Sequence, residues 1–305
     1  MSGSVTGLLQ PRTQEALRKL LWRLRDRRAV SSTTGSHASI FRGRGLEFDQ
    51  VVRYVYGDDV RDIDWNVIAR LGQSYRKCFI EEREVVVFVV FDDEPALQFG
   101  SGARSKREVM IELVAFALLL ATIKRERIGF LHRTRTGERR LEPTRNRARV
   151  LQEIGRLIEE PAVFVRGHTT VDLCPTPIAG VPPGALVLRY GEIPLQAPSL
   201  AWHNWARHYE LIGIRVEDPW ERDLPRSMPK VMFDPAGDAL VSGADFETMQ
   251  EAHRKWRDER EAIWNLWWPQ AAGRWAVDST ADTLAEFVRL LKLRGAQQAG
   301  GVRKP

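Results

Sequence analysis

The seven residues Val85 to Phe91, VVVFVVF, constrain this chain more than any other stretch of it. A strand with one wet face alternates apolar and polar residues. One that is apolar at every position needs cover on both sides, as the central strand of a parallel sheet does. Valine and phenylalanine also suit a pleated backbone. The run stops at Asp92-Asp93, so two carboxylates stand where the strand leaves the sheet.

Parallel neighbours need crossover connections, and the downstream sequence alternates accordingly. Lys106 to Lys124 reads as a long apolar helix, Arg127 to His132 as a strand and Glu138 to Glu142 as its short hairpin partner. Arg145 to Glu159 follows as a helix, Ala185 to Tyr190 as a strand, Leu200 to His208 as a helix and Tyr209 to Val216 as a strand. Lys230 to Phe233 and Ala239 to Val241 flank the turn Asp234-Pro235-Ala236-Gly237-Asp238. A helix from Phe246 to about Trp267 stops at Pro269; Arg274 to Val277 is the last strand. Thr280 to Leu293 is the last helix, with Asp278-Ser279 placed to cap it. The fold class is α/β, a doubly wound sheet. Upstream, Ser74 to Ile80 reads as a further strand joined to the apolar one by the charged turn Glu81-Glu82-Arg83.

These readings divide the chain into four parts. Residues 1–40 are an N-terminal basic helix (12–28, with Leu17, Leu20, Leu21 and Leu24 at helical spacing) and a Ser/Thr/Gly loop. Residues 41–83 are a β-rich extension, 84–294 the α/β domain with a helical and hairpin insertion at about 219–270, and 295–305 a disordered tail. The two cysteines, Cys78 and Cys174, form no zinc or redox motif. No apolar run approaches the ~18–20 residues that cross a bilayer, and the expected location is cytoplasmic. Four of ten tryptophans, Trp256, Trp264, Trp267 and Trp268, fall in one helix, and three of them on one face, as in a helix packed on the protein body.

The formal net charge of +6 gathers in Arg18 to Arg28 and in the seven arginines of Arg133 to Arg149. Such segments serve an acidic partner or form a generic solvated surface; the second is expected here, and nucleic acid is not the expected partner. A second dense cluster is Asp58, Asp59, Asp62 and Asp64 beside Trp65 and Asn66. A two-metal phosphodiesterase or nuclease uses such carboxylates, but no lysine or histidine lies near for proton work. Arg53, Arg61 and Arg70 are interleaved instead, which favours an internal ion-pair and capping network. Arg42 and Arg44 bracket Gly43 and are placed to pair with those aspartates or to face a partner. His203 and His208 are five apart and make no ligand pair, and Lys106-Arg107-Glu108 reads as solvated helix start. No Walker A loop, GxGxxG, GxSxG or HExxH occurs, so an enzyme is not expected.

The strings FRGRGLEF (with Glu47), VVRYVYGDDVRDIDWNV, KCFIEERE and FDD followed by FGSG resemble a bacterial family catalogued as domain of unknown function fifty-eight. The resemblance runs from about Phe41 to Arg127 and more loosely to about Leu293. It implies a von Willebrand A-like (Rossmann-like) domain and association with MoxR-type AAA+ ATPases. That fold normally carries a metal-dependent adhesion site: an Asp-x-Ser-x-Ser turn, a threonine from a second loop and an aspartate after a later strand. On this sequence the first turn reads Asp92-Asp93-Glu94-Pro95-Ala96, so both serine positions lack a hydroxyl. Thr169 or Thr170 stands in the second loop. Tyr190-Gly191 replaces the usual Ser-Asp pair, with the cation Arg189 beside it. The expectation is a degenerate site holding neither metal nor cofactor, with Asp92, Asp93, Glu94, Thr169 and Thr170 as remnants. The function it implies is a non-catalytic interaction module, an adaptor or substrate-recognition partner of a MoxR-type ATPase. The alternatives are the nuclease reading of Asp58 to Asp64 and nucleic-acid binding by the arginine-rich segments.

Overall fold

The computed structural model describes residues 15–16, 18–22, 45–54, 63–82, 86–162, 181–227, 231–234, 239–242 and 246–300. They divide into two units, 42–85 and the rest of the chain. In the smaller unit, β1 (Gly45–Arg53) pairs antiparallel with β2 (Tyr75–Glu82), and the helix α1 (Trp65–Leu71) lies between them in sequence. This corrects the expected hairpin between β2 and the apolar strand. Glu81 and Glu82 belong to β2, whose partner is β1. Leu46-Glu47-Phe48-Asp49 alternates apolar and acidic residues, but the register shifts between Phe48 and Gln50 and Val51-Val52 follow, so β1 shows no single period.

The larger unit is built on a mixed six-stranded sheet. Its strands are β3 (Val86–Asp92), β4 (Arg127–Thr134), β5 (Gly137–Thr144), β6 (Leu186–Tyr190), β7 (Glu210–Glu217) and β10 (Arg274–Asp278). The order is β10-β7-β6-β3-β4-β5, parallel throughout except for the antiparallel edge strand β5. β3 is central and buried at every position, as its unbroken apolar run requires. Pro143, which donates no backbone hydrogen bond, is tolerated because β5 lies on the edge. After the short helix α5 (Pro219–Arg222), β8 (Val231–Asp234) and β9 (Ala239–Ser242) form a separate hairpin.

Helices cover both faces. On one, α2 (Lys106–Ile123) contacts β3 and β4, and α3 (Arg147–Glu159) and α7 (Thr283–Gly300) pack against α2. α2 is buried around nearly its whole circumference and starts from a capping box between Ser105 and Glu108. On the other face α4 (Leu200–His208) and α6 (Phe246–Trp267) bring Trp202, Trp205, Trp264, Trp267 and Trp268 against Val86, Phe88, Val90 and Val187. Trp202 donates to Trp267 O at 2.9 Å, and Trp267 donates to Gln196 O at 2.8 Å, so both buried indoles are satisfied. A side chain at Gly213 of β7 would put its Cβ 2.5 Å from Trp268 Cε2 and 2.6 Å from Trp264 Cη2. The glycine is the gap into which the two rings fit. Trp256, by contrast, is 41% exposed.

Two further expectations change. α7 begins at Thr283 because Asp278 is spent on a turn, accepting from Thr280 N at 2.8 Å and Thr280 Oγ1 at 2.6 Å. Asp282 caps the helix instead, accepting from Ala285 N at 2.7 Å. The helix then continues to Gly300, through the first part of the segment expected as a tail. The loop between β3 and α2 is tied to distant segments. Ser101 donates through its backbone and hydroxyl to Asp218, after β7. Arg104 donates to Ser279 O, Ala281 O at 2.9 Å and Thr283 Oγ1 at 3.0 Å.

Candidate functional site

Ligands of open α/β sheets gather at the carboxyl ends of strands where the strand order reverses. Here that point lies between β3 and β6, beside Asp92 and Asp93. The two carboxylates leave β3 toward opposite faces, and each meets its own cations.

Asp92 is fully buried. Its Oδ1 accepts from Arg133 Nε at 2.7 Å, with Arg133 Nη2 in ion-pair contact at 2.6 Å, and its Oδ2 accepts from Arg189 Nε at 2.8 Å. Arg133, near the end of β4, lies directly opposite Asp92, and Arg189 lies on β6 opposite Val90, on the same face. The Arg189 guanidinium also donates to Glu192 O and lies 5.8 Å over the Trp268 ring. A Cβ at Gly191 would fall 2.9 Å from Asp92 Cβ and 3.0 Å from Arg189 Nη2. Gly191 therefore leaves clear the space that Arg189 fills.

Asp93 lies on the α2 face. Arg107 grips it with Nε at 2.8 Å and Nη2 at 2.7 Å, and His132 Nε2 is 3.0 Å away. His132 Nδ1 lies 3.4 Å from Arg139 Nη2, which can only donate. The same Nδ1 is also 3.4 Å from Glu160 Oε2, and the ring is closed in on both sides by charged groups. Burial raises the Asp93 pKa, but the hydrogen bonds of His132 and Arg107 outweigh it and hold the carboxyl below its ordinary range. Arg139 in turn pairs with Glu153 at 2.8 Å and Glu160 at 2.6 Å.

Lys106 corrects the solvated reading of the helix start. It is 2% exposed and bridges Glu192 and Glu221, the latter at 2.7 Å. Burial lowers its pKa, but the two carboxylates more than reverse this. Arg107 is buried as well; Glu108 is exposed, as expected. Arg260 of α6 closes the cluster with hydrogen bonds to Ile193 O and, at 2.9 Å, to Pro194 O. Glu94 is half-buried and no described donor reaches its carboxylate. Burial, with Asp92 and Glu192 adding to it and Arg189 opposing, pushes its pKa up to about 7.

This arrangement does not fit a divalent ion. Both Asp92 oxygens are occupied by guanidinium N–H groups. At an effective dielectric near 20, a dication a few ångströms from two guanidiniums is repelled by several kcal/mol from each. Among the described residues no three His, Cys, Asp or Glu side chains converge as a metal requires. Nor does a base–nucleophile pair form here, because His132 is enclosed by Asp93 and Arg139.

Of the other positions named from sequence, Arg42, Arg44, Asp58, Asp59, Arg61, Asp62, Thr169 and Thr170 lie outside the described residues, as does the Glu47 side chain. Asp64 is buried at the start of α1, where its carboxylate accepts from Val67 N at 3.4 Å, a capping contact. Trp65 is 71% exposed and Arg70 exposed. Arg133 of the arginine-rich run is buried on Asp92, and Arg139 and Arg140 are in ion pairs, so that run is only partly solvated surface. Sequence reasoning missed Arg133, Lys106 and Arg107. Two signals were available: the apolar strand before Arg133 ends level with Asp92, and Ser105 with Glu108 is a capping box that puts Lys106 and Arg107 at the first helical positions above the sheet.

Residues 50–176 match the model of the family described as Protein of unknown function DUF58. Uncharacterized proteins of Mycobacterium bovis and Mycobacterium tuberculosis are 26% identical over 229 residues, 71% of this chain and 66% of theirs. The match thus spans just under two thirds of those relatives' length. Among solved structures, the conserved hypothetical protein BatB from Bacteroides thetaiotaomicron superposes with a TM-score of 0.40 at 12% identity, covering 71% of this chain and 99% of that one. An aerotolerance-related membrane protein from Bacteroides fragilis gives 0.37 at 11% identity, covering 70% and 99%. Among the described residues no helix is long and apolar enough to cross a membrane.

Proposed function

We propose that this chain is a non-catalytic protein-interaction module of the von Willebrand A type in which arginines have taken the place of the metal ion. In this reading it serves as an adaptor or substrate-recognition partner of a MoxR-type AAA+ ATPase, and its own location is cytoplasmic. The observation that carries the reading is the occupation of both Asp92 oxygens by Arg133 and Arg189. The strand order, with an antiparallel edge strand and a reversal beside Asp92, supports the fold assignment. The clearance at Gly191 supports replacement over simple loss, because the missing carboxylate and the added guanidinium occupy one volume. A recognition surface built this way has its charge fixed in the chain and needs no ion to assemble. The ATPase partner rests on the family resemblance.

The test is calorimetric titration of the purified chain with MgCl2, beside co-purification with a MoxR-type ATPase of the same genome in the presence and absence of EDTA. No saturable heat, and a complex that survives EDTA, are expected. Magnesium binding lost in Asp92→Ala would defeat the replacement reading. A folded ATPase that never co-purifies would defeat the adaptor reading.

A further inference from the structure

The arginine-rich segment singled out from sequence separates into two groups. Arg133, Arg139 and Arg140 are engaged by Asp92, Glu153, Glu160 and Glu142. Arg145, Arg147 and Arg149 are exposed at the start of α3. They do not stand alone. Ile128 pairs with Thr144 across β4 and β5, which brings the 124–127 turn beside residue 145, and Arg145 Nε donates to Arg125 O at 3.2 Å. The corner so formed holds Lys124, Arg125, Arg127, Arg145, Arg147 and Arg149, and within the segments 124–127 and 145–149 the acid is Glu126. Residues 124–127 and 145–149 together carry a net charge of five.

We infer that this corner is a docking surface for an acidic segment of a protein partner. Six cations held in one corner raise the local density of an anionic partner and its on-rate, which the same cations spread over the surface do not do. The first turn of α3 carries no acid, although a helix start favours carboxylates over guanidiniums; the arginines there are not serving the helix. The chemistry favours protein over nucleic acid. Ile123, the last residue of α2, is 52% exposed beside the cations and offers an apolar contact that a phosphate backbone does not use. Single-stranded nucleic acid is held by aromatic stacking. The large exposed aromatics among the described residues, Trp22, Trp65 and Trp256, belong to other segments.

The test uses the full chain and a fluorescein-labelled peptide of three Glu-Glu-Leu repeats, read by anisotropy at low salt. Saturable binding is expected, weakened about tenfold or more by R145E/R147E/R149E, which removes three charge pairs. Glutamate at a helix start is favourable, so the fold should persist by circular dichroism. R145Q/R147Q/R149Q provides the same test should the reversal unfold the chain. Reversal of Arg207, Arg254 and Lys255, exposed elsewhere, changes net charge equally and should leave affinity within about twofold. The proposal is overturned by absence of peptide binding, by equal loss in both reversals, or by duplex DNA binding more tightly than the peptide.

Discussion

Replacing Glu94 by glutamine keeps the shape of the side chain and removes its ionisation. Burial, assisted by Asp92 and Glu192 and opposed by Arg189, raises this carboxyl from 4.5 to about 7 in the folded chain. The folded state therefore holds the proton more tightly than the unfolded state does. Ionisation works against folding, and the penalty grows as pH rises from about 4.5 to about 7 and is constant above. A rise from 4.5 to about 7 corresponds to at most about 3 kcal/mol. Glu94→Gln should accordingly match the parent near pH 4.5 and exceed its stability at pH 8 by up to about 3 kcal/mol. Urea unfolding at the two pH values measures this directly, since the midpoint moves while the slope does not. An equal difference at both values, or a parent more stable at pH 8, would refute the electrostatic account of this residue.

Three other substitutions follow from the same cluster and from the tryptophan face. Asp92→Asn leaves Arg133 and Arg189 buried without their counter-charge and should lower unfolding stability by about 3–5 kcal/mol in urea titration. Gly191→Ser drives a Cβ to 2.9 Å from Asp92 Cβ, and a loss of about 1–3 kcal/mol is expected in thermal melts. An unchanged Tm would mean that the space is not committed to Arg189. Gly213→Ala forces Trp264 and Trp268 away from β7, with a loss of similar size and a red shift of tryptophan emission as the rings meet water.

The sheet was legible because its signals are local. The unbroken apolar run of β3 and the Leu186-Val187-Leu188 stretch of β6 report themselves within a few residues. The site was legible only on one side. Asp92 could be placed at a strand end, and Arg189 could be seen beside the altered Tyr190-Gly191 pair. Arg133, however, reaches Asp92 through the register of two strands 41 residues apart, and register is not printed in either strand alone. Lys106 and Arg107 misled for a related reason. A cation at a helix start is usually wet, and only the arrival of Glu192, Glu221 and Asp93 from elsewhere makes burial tolerable. The start of α7 was misplaced because Asp278 and Asp282 are both competent caps, and the choice between them is made by Thr280.

The anchoring of the loop after β3 also bears on the order of assembly. Ser101 and Arg104 precede most of the chain, yet their partners are Asp218, Ser279, Ala281 and Thr283. A nascent polypeptide emerging from the ribosome can fold β3, α2 and β4 early. The crown of that half stays unfastened until synthesis has passed residue 283, so the carboxyl-end rim of the sheet is completed last, and a chain interrupted shortly before that point would have a core without a finished rim.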